Sequence, residues 1–314
     1  MRLTLDEVVR ATGGRLLGAA ASGALITGVS TDTRTLRPGD LFIALPGPRA
    51  DGHDFIPEAF RRGAAAVLAT RAANGMGGPV VEVADGLRAL AALAQAWRRT
   101  LDLLVIGVTG SVGKTTTVAM CAAALGARLR VARTREEWNA EIGVPLAILG
   151  LDPGHQAAVI EMAMRGLGQI AELVAVAAPQ IGVVTNIGPT HLELLGSIEQ
   201  IARAKGELVE GLPPDGTAVL NRDDPRVFAL RTRSRAAVLT YGTAPDADLR
   251  AAEVEATAGG LRVVIVAGGE RAAVTLPALG RHNVANVLAA AAAARACGLD
   301  LAAAAEGLAA YRPP

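Results

Sequence analysis

The stretch Gly107-Val-Thr-Gly-Ser-Val-Gly-Lys-Thr115 overlaps the end of an apolar run, Leu103 to Val108, and opens a helical pattern from Gly113. An apolar strand, a glycine-rich turn and a helix in that order form the context that a phosphate-binding loop requires. Gly110 and Gly113 let the backbone curl so that N–H groups converge on phosphate oxygens, and the helix N-terminus adds partial positive charge. Thr109, Gly110, Ser111, Val112, Gly113, Lys114, Thr115 and Thr116 are therefore the candidate nucleotide-binding residues. Lys114 would reach the β- and γ-phosphates, and the Thr115 hydroxyl would take Mg²⁺. The general pattern has glycine five residues before Gly113, where this chain has Val108, so the loop is a variant of the common form.

Lys114 is conspicuous for a second reason. The chain has 314 residues and 31 basic ones, of which 29 are arginine; Lys114 and Lys205 are the two lysines. The net charge of +1 argues against binding driven by neutralisation of nucleic-acid phosphates. Eight aromatic residues are too few for a base-stacking platform. A composition 51% hydrophobic and 19% charged can bury a large core. Cys121 and Cys297 have neither metal-ligand nor redox spacing and fit a reducing compartment. No apolar run is long enough to span a membrane, and Asp6 and Glu7 interrupt any signal-peptide pattern, so a soluble, cytoplasmic protein is expected.

Outward from the loop, the chain reads as two α/β domains. Residues 1–84 show short strands and helices, with a strand entered through the turn Arg37-Pro-Gly-Asp40. From residue 85 to 314 the units lengthen. Apolar runs at Leu103–Val108, Ala158–Glu161, Ile181–Thr185, Thr217–Leu220 and Ala236–Thr240 are mostly separated by helical patterns. Strands without alternation, spaced by helices, imply a mostly parallel sheet covered on both faces. Leu249–Glu255, Leu261–Ala267 and Arg271–Leu276 resemble short antiparallel strands, and an Ala-rich helix follows from about Asn283 to Ala296.

Three further residues could serve the loop. Glu161 ends an apolar run at the carboxyl edge of a central strand, where parallel sheets place ligands, and its carboxylate suits nucleotide-bound Mg²⁺. His191 follows a second strand through Thr185-Asn-Ile-Gly-Pro-Thr190. Imidazole is an unusual Mg²⁺ ligand, and a lone loop histidine is more often structural or solvated. Lys205 lies in a helical stretch, Ile198 to Leu212, where a solvated lysine is the ordinary reading. Its survival among so many arginines also suits a chemistry arginine cannot perform: a neutral amine can capture CO₂ as a carbamate, turning a cation into an anionic metal ligand.

With these pieces in place, the chain resembles the Mur ligase family, the ATP-dependent amide-forming enzymes of peptidoglycan synthesis. The likeness is carried by the loop through Thr117, by Asn139 and Ile142-Gly-Val-Pro-Leu146, and by Val159-Ile-Glu-Met162. It continues through Thr185-Asn-Ile-Gly-Pro-Thr-His-Leu-Glu193, Ala204-Lys-Gly-Glu207 and Gly280-Arg-His-Asn-Val-Ala-Asn286. In the first domain it rests on Ser30-Thr-Asp-Thr-Arg34, Pro38-Gly-Asp-Leu-Phe42 and Asp51-Gly-His-Asp-Phe55. The chain departs from the family's Asn-rich stretch at Glu136, Glu137 and Ala140.

The resemblance implies an N-terminal UDP-MurNAc-peptide-binding domain and a central P-loop ATPase domain, using ATP and two Mg²⁺ ions. Thr115 and Glu161 would hold one ion; His191 and a carbamoylated Lys205 would hold the second, so that Lys114, Lys205, His191 and Glu161 form the catalytic set. Asn286 would lie near the adenine and Asn139 near the nucleotide pocket, while Ser30, Arg34 and His53 would contact the UDP-sugar. Within the family the likeness is greatest to the branch joining D-Ala-D-Ala to UDP-MurNAc-tripeptide through an acyl phosphate, acting as a monomer without nucleic-acid or membrane partners. A third, C-terminal ligase domain is expected to follow about where this chain stops, and without it the chain is expected to be inactive. The alternatives are a sister ligase adding the third amino acid, a P-loop kinase or GTPase, and a non-catalytic fragment that binds nucleotide and UDP-sugar.

Overall fold

The structure, a computed structural model, describes residues 1–18, 24–48, 50–71, 77–135, 138–190, 192–257, 260–277, 280 and 283–313. His191, Glu136 and Glu137, together with Arg281 and His282 of the histidine–asparagine segment, lie outside the described residues. Two compact units emerge, residues 1–101 with 141–152, and residues 102–140 with 153–314.

The first unit begins with β1 (Leu3–Thr4) and α1 (Leu5–Thr12), whose start is fixed by a capping box between Thr4 and Glu7. There follow β2 (Arg15–Leu17), β3 (Leu25–Ile26), β4 (Gly28–Ser30), β5 (Asp40–Ile43), α2 (Ile56–Arg61), β6 (Ala66–Ala69), β7 (Val80–Glu82) and α3 (Gly86–Arg98). The main sheet has the order β2-β7-β6-β5-β4, parallel except at β2–β7. β5 and β6 are buried at every position, as expected of strands covered on both faces.

The second unit contains β8 (Leu104–Thr109), α4 (Lys114–Gly126) and β9 (Val131–Arg133). The chain then contributes α5 (Gly143–Leu149) to the first unit. It continues through β10 (Ala157–Glu161), α6 (Gln169–Ala177), β11 (Ile181–Val184), α7 (Leu192–Leu195), α8 (Ile198–Glu210), β12 (Thr217–Asn221), α9 (Pro225–Ala229) and β13 (Ala237–Gly242). β14 (Leu249–Thr257), β15 (Gly260–Ala267), β16 (Glu270–Leu276), α10 (Asn283–Ala296) and α11 (Leu301–Ala309) complete it. One nine-stranded sheet results, ordered β16-β15-β14-β13-β12-β11-β8-β10-β9. It is parallel from β9 to β14 and antiparallel from β14 to β16, the expected mixture.

Each face of that sheet has its own cover. Ile106 and Val108 join α4 and α10 in one apolar cluster. Every residue from Val287 to Ala294 is fully buried, so the Ala-rich tract is an internal helix whose small side chains admit close neighbours on all sides. On the opposite face a Cβ at Gly107 would stand 3.0 Å from Leu208 Cδ1, and one at Gly182 3.1 Å from Leu208 Cγ, which places α8 against β8 and β11.

The units divide after Leu101, whereas the sequence reading draws the boundary at 84/85. α3 is amphipathic and buries Ala89, Leu90, Leu93, Ala94 and Trp97. It packs against α1 and α5, and the Trp97 indole N–H donates to the carbonyl of Leu151 at 3.1 Å. The helix thus belongs with the first unit's packing, and so does the segment 141–152, which arrives from across 39 intervening residues.

Candidate active site

β8 delivers the phosphate loop at the carboxyl edge of the sheet. Its conformation is fixed from the neighbouring strand's end. Ser111 N–H donates to the carbonyl of Asn186 (3.0 Å), and Val112 N–H donates to Asn186 Oδ1 (2.9 Å). The Val112 carbonyl accepts from Thr185 Oγ1 and Asn186 Nδ2, both at 2.9 Å. Ser111 Oγ donates to the carbonyl of Gly188 at 3.0 Å. This tight apposition explains Gly110, since a Cβ there would collide with Thr185 Oγ1. Gly113 has a φ of +80°, and a Cβ would stand 2.8 Å from Asn286 Oδ1, so glycine answers both a left-handed turn and a close neighbour.

α4 starts at Lys114 with no side-chain cap from Gly113. The N–H groups of Lys114, Thr115 and Thr116 meet no acceptor among the described residues, in the arrangement that favours phosphate. Lys114 Nζ donates to the Gly110 carbonyl at 3.1 Å, so the ammonium folds back over the loop. Thr115 Oγ1 donates to Glu161 Oε2 (2.8 Å), Asn139 Nδ2 donates to Glu161 Oε1 (3.0 Å), and Glu161 N–H donates to Thr134 Oγ1 (3.1 Å). Thr115 and Glu161 also line a cavity of about 200 Å³ with Val118, Arg133, Thr134 and Arg135. A hydroxyl and a carboxylate side by side are the hard oxygen donors Mg²⁺ prefers. Among the described residues no group of three or more His, Cys, Asp or Glu side chains could hold a metal ion by itself.

Lys205 is 3% exposed on α8, not a solvated side chain, and no described residue forms an ion pair or hydrogen bond with its amine. Burial, reinforced by the charge of Lys114, lowers its pKa to about 7. A substantial fraction of the amine is therefore uncharged near neutrality, the form that reacts with CO₂.

The remaining candidates divide. Asn286 is buried beside the loop, accepting from Thr117 Oγ1 at 3.2 Å and donating to Asn283 Oδ1 at 3.0 Å. Its amide oxygen is thus directed at the start of α4. The main chain of Asn139 is tied too, its carbonyl accepting from Ala163 N–H at 2.7 Å. Thr109 is fully buried, and its hydroxyl has no hydrogen-bond partner among the described residues.

In the first unit the three UDP-sugar candidates gather at the carboxyl edge of the parallel strands. Ser30 ends β4 and its hydroxyl bonds within its own turn, to the Asp32 carbonyl (2.8 Å) and Thr35 Oγ1 (3.0 Å). Arg34 is exposed and grips Asp32 through Nε and Nη2. His53 is nearly buried: Nε2 accepts from Thr70 N–H at 3.1 Å, which leaves Nδ1 as the protonated nitrogen, donating to Asp51 Oδ1 at 2.6 Å. The His53 backbone N–H and ring hold the Asp51 carboxyl below its ordinary value. His53 therefore locks the loop after β5 to the end of β6 in this structure.

Sequence reasoning missed Asn221 and Asp224. Asn221 Nδ2 donates to the Thr185 carbonyl (2.9 Å), and Asp224 Oδ2 accepts from Ile187 N–H (2.8 Å), so the end of β12 holds the loop that holds the phosphate loop. The signal available was Asn-Arg-Asp-Asp-Pro225 after an apolar run, a strand end followed by a helix cap.

Among the described residues no helix is long and apolar enough to cross a membrane. Comparison with known proteins agrees with this architecture. The pattern described as the Mur ligase middle domain matches residues 108–294, and that described as Mur ligase family, catalytic domain, matches residues 25–98. A UDP-N-acetylmuramoyl-tripeptide–D-alanyl-D-alanine ligase of Synechocystis is 44% identical over 278 residues, covering 88% of this chain and 59% of the relative. The crystal structure of MurF from Acinetobacter baumannii superimposes with a TM-score of 0.93 at 29% identity, covering all of this chain and 69% of that one. MurF of Thermotoga maritima, solved in complex with ADP, superimposes at 0.83 with 30% identity, covering 91% of this chain and 66% of that one. The chain thus spans between about three fifths and seven tenths of these proteins. With both domain patterns matched in order and the phosphate loop, Glu161 and Lys205 set around one sheet edge, the chain belongs to the Mur ligase family.

Proposed function

We propose that this chain carries the ATP-handling and UDP-sugar-handling parts of a ligase joining D-Ala-D-Ala to UDP-MurNAc-tripeptide. The observation that carries the reading is the hydrogen-bonded set Thr115–Glu161–Asn139 at the head of an uncapped helix bearing Lys114. In the reaction, a terminal carboxylate oxygen of the tripeptide attacks the γ-phosphorus of ATP and ADP leaves. The amine of D-Ala-D-Ala then attacks the acyl carbon, a C–N bond forms as the acyl C–O bond breaks, phosphate leaves carrying the former carboxylate oxygen, and the nitrogen loses a proton to solvent.

The chain's own groups suit the first step. Backbone N–H groups of the loop and first turn of α4 bind and orient the phosphates, and Lys114 offsets charge that builds on the transferring phosphoryl group. Thr115 and Glu161 would hold one Mg²⁺, and Lys205 as a carbamate, with His191, a second; bound there, the ions would supply further positive charge to the phosphates. Asn139 holds Glu161 in place through its amide. Ser30, Arg34 and His53 are assigned to the UDP-sugar end, with His53 shaping the loop.

The test is a ligation assay on the full-length ligase that contains this chain, with radiolabelled amine donors and UDP-MurNAc-peptides of different length. Product from the tripeptide with D-Ala-D-Ala alone supports the assignment. Product from the dipeptide with a diamino acid would instead make the chain part of a sister ligase.

A further inference from the structure

Thr109 is the last residue of β8, and its carbonyl accepts from Thr185 N–H at 3.0 Å. Its side chain is 0% exposed, and its hydroxyl meets no hydrogen-bond partner among the described residues. A buried hydroxyl is costly to leave unmatched, and valine would fill the same space without that cost.

The sheet geometry says where the hydroxyl points. Gly107 faces α8, since a Cβ there would lie 3.0 Å from Leu208 Cδ1. Side chains alternate along a strand, so Thr109 stands on that same face, about 6.6 Å nearer the carboxyl edge. α8 lies between the parallel strands β11 and β12 in the chain and so runs back antiparallel to β8. Lys205 precedes Leu208 by three residues, which brings it about 4.5 Å toward the same edge on the same side of the helix. The hydroxyl and the amine, neither of which has a hydrogen-bond partner among the described residues, are therefore level with each other between β8 and α8. Val108 and Glu161, by contrast, pair across the two strands and face α4.

We propose that Thr109 is a positioning residue for Lys205: its hydroxyl donates a hydrogen bond to an oxygen of the carbamate formed on Nζ. The inference rests on the carbamate reading of Lys205. In that step the neutral amine adds to the carbon of CO₂ and an N–C bond forms. One C=O electron pair moves onto oxygen, and a proton leaves the nitrogen for solvent. The product is an anion that needs hydrogen-bond donors in a site with few of them. A threonine at the strand end supplies one without adding charge beside Lys114.

The test uses the chain with Mg²⁺ and ADP, equilibrated with ¹³C-labelled CO₂ and followed by ¹³C NMR. Lys205→Ala identifies the carbamate carbon signal by abolishing it. Thr109→Val is expected to raise the CO₂ concentration for half-occupancy by about tenfold, with Thr109→Ser within about twofold of the wild type and melting temperatures unchanged. If Thr109→Val does not fold, Thr109→Ala is read the same way. A Lys205-dependent signal with equal half-occupancy in wild type and Thr109→Val would overturn the role of Thr109 alone. No Lys205-dependent signal in the wild type would overturn the carbamate reading and this inference with it.

Discussion

The hydroxyl of Thr115 donates a 2.8 Å hydrogen bond to Oε2 of Glu161, joining the first turn of α4 to the end of β10. The other carboxylate oxygen is occupied by Asn139, so Glu161 is held from both sides before any ion arrives. Glu161→Gln keeps the size and one acceptor but removes the charge. In the full-length ligase that contains this chain, ATP turnover in the ligation reaction should fall by about two to three orders of magnitude, with Mg²⁺ half-saturation shifted upward. Steady-state assays across a Mg²⁺ titration check this; an unchanged Mg²⁺ dependence would remove Glu161 from the metal site.

Gly110 is required by its neighbour. In Gly110→Ala the new methyl meets Thr185 Oγ1, which is itself fixed by its bond to the Val112 carbonyl. The loop must shift, at a cost of about 1–3 kcal/mol. Urea unfolding should show that loss, and calorimetry should show weakened ADP binding. Partial recovery of both in the double variant Gly110→Ala/Thr185→Ala would assign that part to this contact, the φ of +157° at position 110 accounting for the rest.

Lys205 makes stability depend on pH in a defined direction. Its folded pKa is lowered to about 7 from 10.5, so between those values the unfolded chain binds more protons than the folded one. Stability then rises with pH across that window, by up to about 1.4 kcal/mol per unit, and the full penalty applies below pH 7. In Mg²⁺-free and CO₂-free buffer, Lys205→Met should be more stable than the wild type at pH 6 and lack the rise. Parallel pH profiles in the two proteins would place the charge elsewhere.

Asp224 ties two structures together. One oxygen caps α9 through Arg226 and Val227 N–H, and the other accepts from Ile187 N–H. Asp224→Ala should cost about 1–3 kcal/mol and weaken nucleotide binding through the 185–188 loop, whereas Asp224→Asn, with one accepting oxygen where the carboxylate has two, should recover only one of these losses. Loss of stability with nucleotide affinity intact would confine Asp224 to capping.

Much of this arrangement is legible in the sequence, and the limits have physical reasons. The parallel sheet shows because β8 and β10 are apolar up to their last residues and β11 is apolar throughout, the mark of strands covered on both faces. The edge strands β2 and β9 do not show, being three residues long and partly exposed. α11 is read as nothing because alanines near the chain end look alike whether buried or not. The boundary at 84/85 reflects a change of rhythm, while α3 answers to partners at Leu151 and beyond that only folding brings near. Lysine scarcity draws attention to Lys114 and Lys205, yet nothing in the sequence reveals that Lys205 is buried. His53 stands out as a UDP-sugar contact in a loop, but its partner Thr70 lies 17 residues away.

Nucleotide binding by Lys114→Ala tests most directly whether the loop from Gly110 to Thr115 receives the phosphates of ATP. Titration calorimetry with ADP and with a non-hydrolysable ATP analogue, in Mg²⁺, should show affinity for the triphosphate analogue falling at least 100-fold in the variant, with thermal stability preserved. Triphosphate binding equal to that of the wild type would contradict the assignment of the site.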